Sequence, residues 1–225
     1  MVRQEENERN YHVFYQLLQG ASIEHLQRLK LTSDNKRPNM EVFNYINQSG
    51  CIAIEDVDDA GDFRDANNAF QEIGFTQAEQ DALYQTIAGI LHLGNLEFSG
   101  NPDDAIISPG TELFLQNASE MFQVEKEMFR QALLFRKITS GSKRKSVVLA
   151  PYNPTAAADS RDALAKEIYR RCFDWIVFKI NQLMYVSSVS ASLMIGVLDI
   201  FGFEIFKKVS DRSCFLVPSR SRSDC

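Results

Sequence analysis

Apolar residues recur at helical spacing through most of the first two thirds of the chain. Tyr11, Phe14, Tyr15 and Leu18 share one helix face, and Gly20 is placed to stop that helix. A short helix is expected over Ile23–Leu29. Residues 30–60 read as surface connection, because they hold Asn35-Lys36-Arg37-Pro38, Asn47-Gln48-Ser49-Gly50 and the acidic run Glu55-Asp56-Val57-Asp58-Asp59. A helix over Asp62–Ile73 follows. The clearest helix runs from Thr76 to Leu93. Thr76 and Glu79 have capping-box spacing, Leu83, Ile87, Ile90 and Leu91 form an apolar stripe, and Gly94-Asn95 supplies the stop.

Two more helices fit Thr111–Phe122 and Glu125–Phe135. Between Lys137 and Tyr152 the pattern changes to Ile-Thr-Ser-Gly-Ser-Lys-Arg-Lys-Ser-Val-Val-Leu, which predicts a hairpin with a basic tip. Asn153-Pro154 then caps and starts a long helix to Met184, since proline is tolerated at the first helical position. Its second half, with Phe173, Trp175, Ile176, Phe178 and Ile180, is apolar nearly all round and predicts deep burial. Leu193–Leu198 is an unbroken apolar run, the pattern of a strand covered on both faces in a parallel sheet. No period is visible after Phe206, so 1–206 reads as the folded domain and 207–225 as a disordered basic tail. The expected fold is mainly α with a minor β part.

Composition narrows the function classes. The chain has 225 residues, 44% hydrophobic and 24% charged, as a soluble globular protein would. Its formal net charge of −6 argues against a dedicated nucleic-acid binder. The tail carries +3 and residues 1–206 carry −9. The first ten residues are charged throughout and hold no signal-peptide core, and the run Ser190–Phe206 is broken by Asp199 and Glu204 and too short to span a bilayer. Cys51, Cys172, Cys214 and Cys225 are far apart, and His12, His25 and His92 have no ligand spacing, so reduced thiols and no structural metal are expected.

Candidate chemistry concentrates in Ile195-Gly-Val-Leu-Asp199-Ile-Phe-Gly202-Phe-Glu204. An Asp at the carboxyl end of an apolar strand can hold the water shell of a magnesium ion in a phosphate-transfer site. Gly202 lets backbone approach a phosphate oxygen and offers its N–H, and Glu204 can pair with a basic group. By pattern alone, a buried strand with an Asp at its exit turn accounts for the same residues.

Further signatures accompany this run: Glu-Arg-Asn-Tyr-His-Val-Phe-Tyr-Gln-Leu-Leu (8–18), Asn-Gln-Ser-Gly-Cys (47–51), Ile-Leu-His-Leu-Gly-Asn (90–95) and Arg-Asp-Ala-Leu-Ala-Lys (161–166). Together with Asp-Ile-Phe-Gly-Phe-Glu-Ile-Phe (199–206) they resemble, in order, the motor head of myosins, over about residues 8–206. The resemblance implies a piece of a P-loop NTPase-type motor domain: helices of the upper actin-binding region plus the switch II strand of the central sheet. It implies an ATP- and Mg²⁺-using, actin-activated hydrolase of the cytoplasmic actin cytoskeleton, with ATP and actin filaments as partners. Asp199 would contact Mg²⁺ through water, Gly202 would hydrogen-bond the γ-phosphate, and Glu204 would pair with a switch I arginine. In myosins a position 16 residues before the Asp-Ala-Leu-Ala-Lys motif is acidic or phosphorylatable and faces actin. Here that position is Ser146, after Lys143-Arg144-Lys145.

The sequence also departs from the family. It contains no Gly-x-x-x-x-Gly-Lys-Ser/Thr, the loop that cradles α- and β-phosphates. The switch I segment, the relay helix and light-chain or calmodulin sites are likewise not found in it. The expectation is therefore one wall of an ATP site and a chain inactive alone, whose abrupt change at Lys207 fits a truncated or misassembled coding sequence. A non-catalytic helical module that binds actin or another motor is the alternative. An ATPase completed by a partner's phosphate loop fits the 8–18 and 161–166 signatures less well.

Overall fold

The computed structural model describes residues 1–140, 146–185 and 196–198, with the backbone alone at 139, 140, 146 and 147. The chain divides into two units, Met1–Tyr185 and Val186–Cys225. The first unit holds seven helices and two small antiparallel sheets among its described residues: α1 (His12–Gly20), α2 (Ile23–Arg28), α3 (Asp59–Ile73), α4 (Gln77–Gly94), β1 (Phe98–Asn101), β2 (Asp104–Ile107), α5 (Glu112–Met121), α6 (Lys126–Leu134), β3 (Phe135–Ser140), β4 (Ser146–Pro151) and α7 (Pro154–Met184). Single 3₁₀ turns lie at Met40–Val42 and Pro109–Thr111.

The centre is α4. Its start is the capping box that the sequence spacing predicts: Thr76 Oγ1 accepts from the Glu79 N–H, and Glu79 Oε2 accepts from the Thr76 N–H. From Ile87 to Gly94 every residue is buried, so this half is walled on all sides rather than along one stripe. It packs most extensively on α5 and α7, while α1 lies chiefly against α3. The β1–β2 hairpin, with Asn101 opposite Asp104, packs against α6 and α7. Its four-residue strands are too short for a period to show in the sequence.

Glycines set how closely these helices approach. A Cβ on Gly20 would stand 2.2 Å from the Phe63 Cβ of α3, and one on Gly94 would stand 2.6 Å from the Tyr45 ring. Both were expected to be helix stops. Gly20 is the last helical residue, but it is followed by extended Ala21 rather than by a left-handed cap. The conformational freedom of glycine is not what these positions use; they use its missing side chain.

The segment 30–60 is not the surface connection its turn-rich sequence predicts. Leu31, Phe43, Tyr45 and Ile46 are all buried. The segment closes helix ends: Arg37 Nη1 donates to the carbonyls of Leu18 and Ala21, both at 3.0 Å. At the end of α4, Asn44 Nδ2 donates to the Gly94 carbonyl, Asn95 Nδ2 donates to the Val42 carbonyl, and the Asn44 N–H donates to Asn95 Oδ1. Backbone groups freed at a buried helix end need such partners. Asn10 joins this layer through Nδ2 to the Tyr45 carbonyl at 2.6 Å. The α3 helix begins at Asp59, three residues earlier than expected, because Asp58 Oδ1 accepts from the Gly61 N–H. Asp59 pairs with Arg9 at 2.6 Å, and Arg9 lies over the Tyr15 ring at 3.8 Å.

Helix α7 starts as its sequence predicts, with Asn153 Oδ1 accepting from the Ala156 N–H at 2.8 Å. Its second half departs from the expectation of deep burial. Phe173 is 57% exposed, Phe178 58% and Met184 66%. One side packs on α4 and α3, tied by Lys179 to Glu79 at 2.6 Å, and the other apolar faces meet nothing among the described residues. The expected strand Leu193–Leu198 is described only at 196–198. There no strand forms, and Val197 and Leu198 are 95% and 81% exposed, with no neighbouring strand among the described residues to pair with. The rest of that run and the expected tail 207–225 lie outside the described residues.

Two stability predictions follow from this packing. Gly20→Ala sets a Cβ against another Cβ, which cannot rotate away, so it should cost roughly 1–3 kcal/mol. Gly110→Ala, with nothing within 4 Å, should be near neutral, and urea unfolding of the two variants compares them. The second concerns His92, 1% exposed, with Nε2 3.0 Å from the Leu29 carbonyl and Nδ1 buried without a partner. A carbonyl only accepts, so Nε2 carries the proton. Burial pushes the His92 pKa below 6.5. Its stabilising contribution is therefore complete above pH 6.5 and is lost as the pH falls through the lower folded-state value. Melting temperature should fall as the pH drops from 6.5 towards that lower value, with a shallower slope in His92→Gln. The Glu79 carboxyl, held at about 2 chiefly by Lys179, acts between 4.5 and about 2.

Candidate functional site

The β3–β4 ribbon is the one sequence-predicted site whose frame is described. Its register runs from Phe135 opposite Pro151 to Ser140 opposite Ser146. The side chains described along it are exposed on both faces: Arg136, Lys137, Ile138, Val148 and Leu149 all reach solvent. Ile138 and Val148 are exposed, and their β-branched side chains favour strand geometry without burial. A two-stranded ribbon is marginal by itself, so its root matters. That root is firm: the Tyr152 N–H donates to the Leu134 carbonyl and the Ala105 N–H donates to the Tyr152 carbonyl, both at 2.8 Å. These bonds fasten the ribbon to α6 and to β2. The α6 helix is itself held to α5 by Glu112, which accepts from Arg130 and pairs with Lys126 at 2.7 Å. Those two partners hold the Glu112 carboxyl at about 2.

Ser146 opens β4 at the far end of this ribbon, opposite Ser140. The basic tip between them, residues 141–145 with Lys143, Arg144 and Lys145, lies outside the described residues. Asp199, Gly202 and Glu204, the residues expected to meet magnesium and the γ-phosphate, also lie outside them. Among the described residues no group of three His, Cys, Asp or Glu side chains could hold a metal ion, and no helix is long and apolar enough to cross a membrane.

The signature 161–166 acquires a physical role that its sequence does not announce. Asp162 Oδ1 accepts from the Tyr45 hydroxyl at 2.7 Å and from Arg161 Nε at 2.9 Å. Arg161 also donates to the Leu96 carbonyl, just past the end of α4. This Arg-Asp pair thus clamps α7 to the segment that closes α4. The signal available in the sequence was an acid and a base adjacent on a helix, which periodicity treats as ordinary surface.

Comparison with known proteins bears on what this assembly is. The family model for the myosin head (motor domain) matches residues 1–214. The chain belongs to the myosin head family. Myosin ID heavy chain of Dictyostelium discoideum is 42% identical over 213 residues, covering 92% of this chain and 19% of that protein. Myosin heavy chain IB of Acanthamoeba castellanii is 42% identical over 212 residues, 91% of this chain and 17% of its own length. Myosin-14 of Arabidopsis thaliana is 39% identical over 203 residues, 89% of this chain and 13% of its own. The chain therefore spans about a fifth or less of the length of these relatives. As a myosin-head segment it is mostly helical with small sheets, in agreement with the fold class expected from its sequence.

Proposed function

We propose that this chain is the part of an actin-based motor head that carries one wall of its Mg-ATP site and one edge of its actin-facing surface. The observation that carries the reading is the run Asp199-Ile-Phe-Gly202-Phe-Glu204 within a chain of the myosin head family. In this reading the Asp199 carboxylate orients water on the magnesium ion, the Gly202 N–H donates to a γ-phosphate oxygen, and Glu204 pairs with an arginine as the pocket closes. The donor set suits magnesium, which keeps most of its waters and takes one or two carboxylates. When bound, the ion neutralises charge on the transferred phosphoryl group. Phe201 and Phe203 position the loop. Closure around the γ-phosphate is an ordering step of the kind that drives other nucleotide switches.

Phosphoryl transfer needs several such loops acting together. The 225-residue sequence holds no phosphate-cradling Gly-x-x-x-x-Gly-Lys-Ser/Thr loop. One carboxylate and one amide bind a nucleotide weakly. Calorimetric titration of the purified chain with Mg-ATP should therefore give no binding heat at micromolar concentrations. A micromolar dissociation constant would overturn the reading.

The exposed, firmly rooted ribbon supports the actin-facing part of the proposal. Phosphorylation of Ser146 would add about −1.5 to −2 charges beside Lys143-Arg144-Lys145. In the intact motor, Ser146→Glu should change actin-activated ATP turnover relative to Ser146→Ala, and equal turnover removes the regulatory role. A second reading, in which the chain is a non-catalytic module binding actin through the same ribbon, is favoured if it co-sediments saturably with filaments without nucleotide.

A further inference from the structure

An apolar pocket of about 200 Å³, open to solvent beside half-exposed Phe173, lies between α1, α3, α4 and α7 within the first unit. None of its twelve lining residues carries a formal charge. Its walls include Phe63 and Ala66 of α3, Tyr84 of α4, and Tyr169 and Cys172 of α7, with the Gln16 amide of α1 the most polar group. An apolar cavity of about 150 Å³ lined by aliphatic and aromatic side chains stays dry and accepts benzene.

We propose that this cavity is a binding site for a small uncharged aromatic molecule about the size of indole. Several lines fix that chemistry. The volume, somewhat above that of a benzene-sized site, admits one or two fused rings but no drug-sized ligand, which needs about 300 Å³ or more. The uncharged lining would leave a carboxylate or ammonium without a partner, at a desolvation cost that excludes ions. Rings on three walls, Phe63, Tyr84 and Tyr169, offer edges and faces to a planar guest. Gln16 can bond one N–H or O–H on the ligand. The cavity shares no residue with Asp199, Gly202, Glu204 or Ser146, so the inference is independent of the proposed function.

The test uses the 225-residue chain, with indole as probe and benzoate as its charged counterpart. Cys172, which lines the pocket, and Cys51, which does not, are followed by peptide-resolved modification with a neutral disulfide reagent. At ten times its dissociation constant indole should favour the folded chain about elevenfold, raising the melting temperature by roughly 3–6 °C. It should slow modification of Cys172 and leave Cys51 unchanged. Benzoate should do neither. Ala66→Leu, which fills the cavity, should abolish the indole shift. A shift that leaves the Cys172 rate unaltered, persists in Ala66→Leu or is matched by benzoate overturns the site, as does the lack of any shift. Concentration-dependent protection of Cys172 without indole would mean that a second copy of the chain fills the cavity, and would equally overturn it. Should Ala66→Leu fail to fold, the Cys172 footprint with indole and benzoate decides alone.

Discussion

Complete enclosure of the second half of α4 is the constraint on which the rest of this structure depends. A helix walled on every side must satisfy the backbone groups at its end and must let several neighbours approach at once. The first requirement is met by Asn44, Asn95 and the Leu96–Arg161 contact. The second is met by glycine. A Cβ on Gly89 would stand 2.5 Å from the Phe122 ring, and Gly94 leaves similar room for Tyr45. The 30–60 segment, the α5 helix and the first half of α7 are therefore arranged around one element rather than in pairs. The Tyr45–Asp162 bond then links the cap of α4 to the helix that follows the ribbon.

This arrangement explains what could be read from the sequence. Local chemistry was legible at two helix starts, Thr76 with Glu79 and Asn153 ahead of Pro154, whereas the Asp58 cap that begins α3 earlier was not read. Helix positions followed to within a few residues. Features set by distant partners were not legible. Gly20 and Gly94 have the spacing of stops but serve a ring or a Cβ from elsewhere in the chain. The polar 30–60 segment hides Phe43, Tyr45 and Ile46 in the core because its asparagines and Arg37 close helix ends. The apolar second half of α7 marks faces suited to burial, but burial needs a covering element, and hydrophobicity alone does not provide one.

The candidate functional residues divide in the same way. Family membership follows from signatures spread along the chain, and the position of Ser146 on the ribbon follows from strand register. The proposed nucleotide wall rests on residues 199–204, whose meaning depends on a phosphate loop of the Gly-x-x-x-x-Gly-Lys-Ser/Thr kind that the 225-residue sequence does not contain. The proposed actin contact rests on a ribbon rooted on α6 and β2, whose described side chains are exposed.

Native-state hydrogen exchange on the 225-residue chain tests the central claim most directly. Amides of residues 91–94 should open only with global unfolding, because every surrounding element must leave before they meet water. Amides of α7 beyond Phe173, exposed on most faces, should exchange faster by on the order of tenfold or more. Equal protection along the whole of α7 and α4 would contradict an architecture built around one enclosed helix.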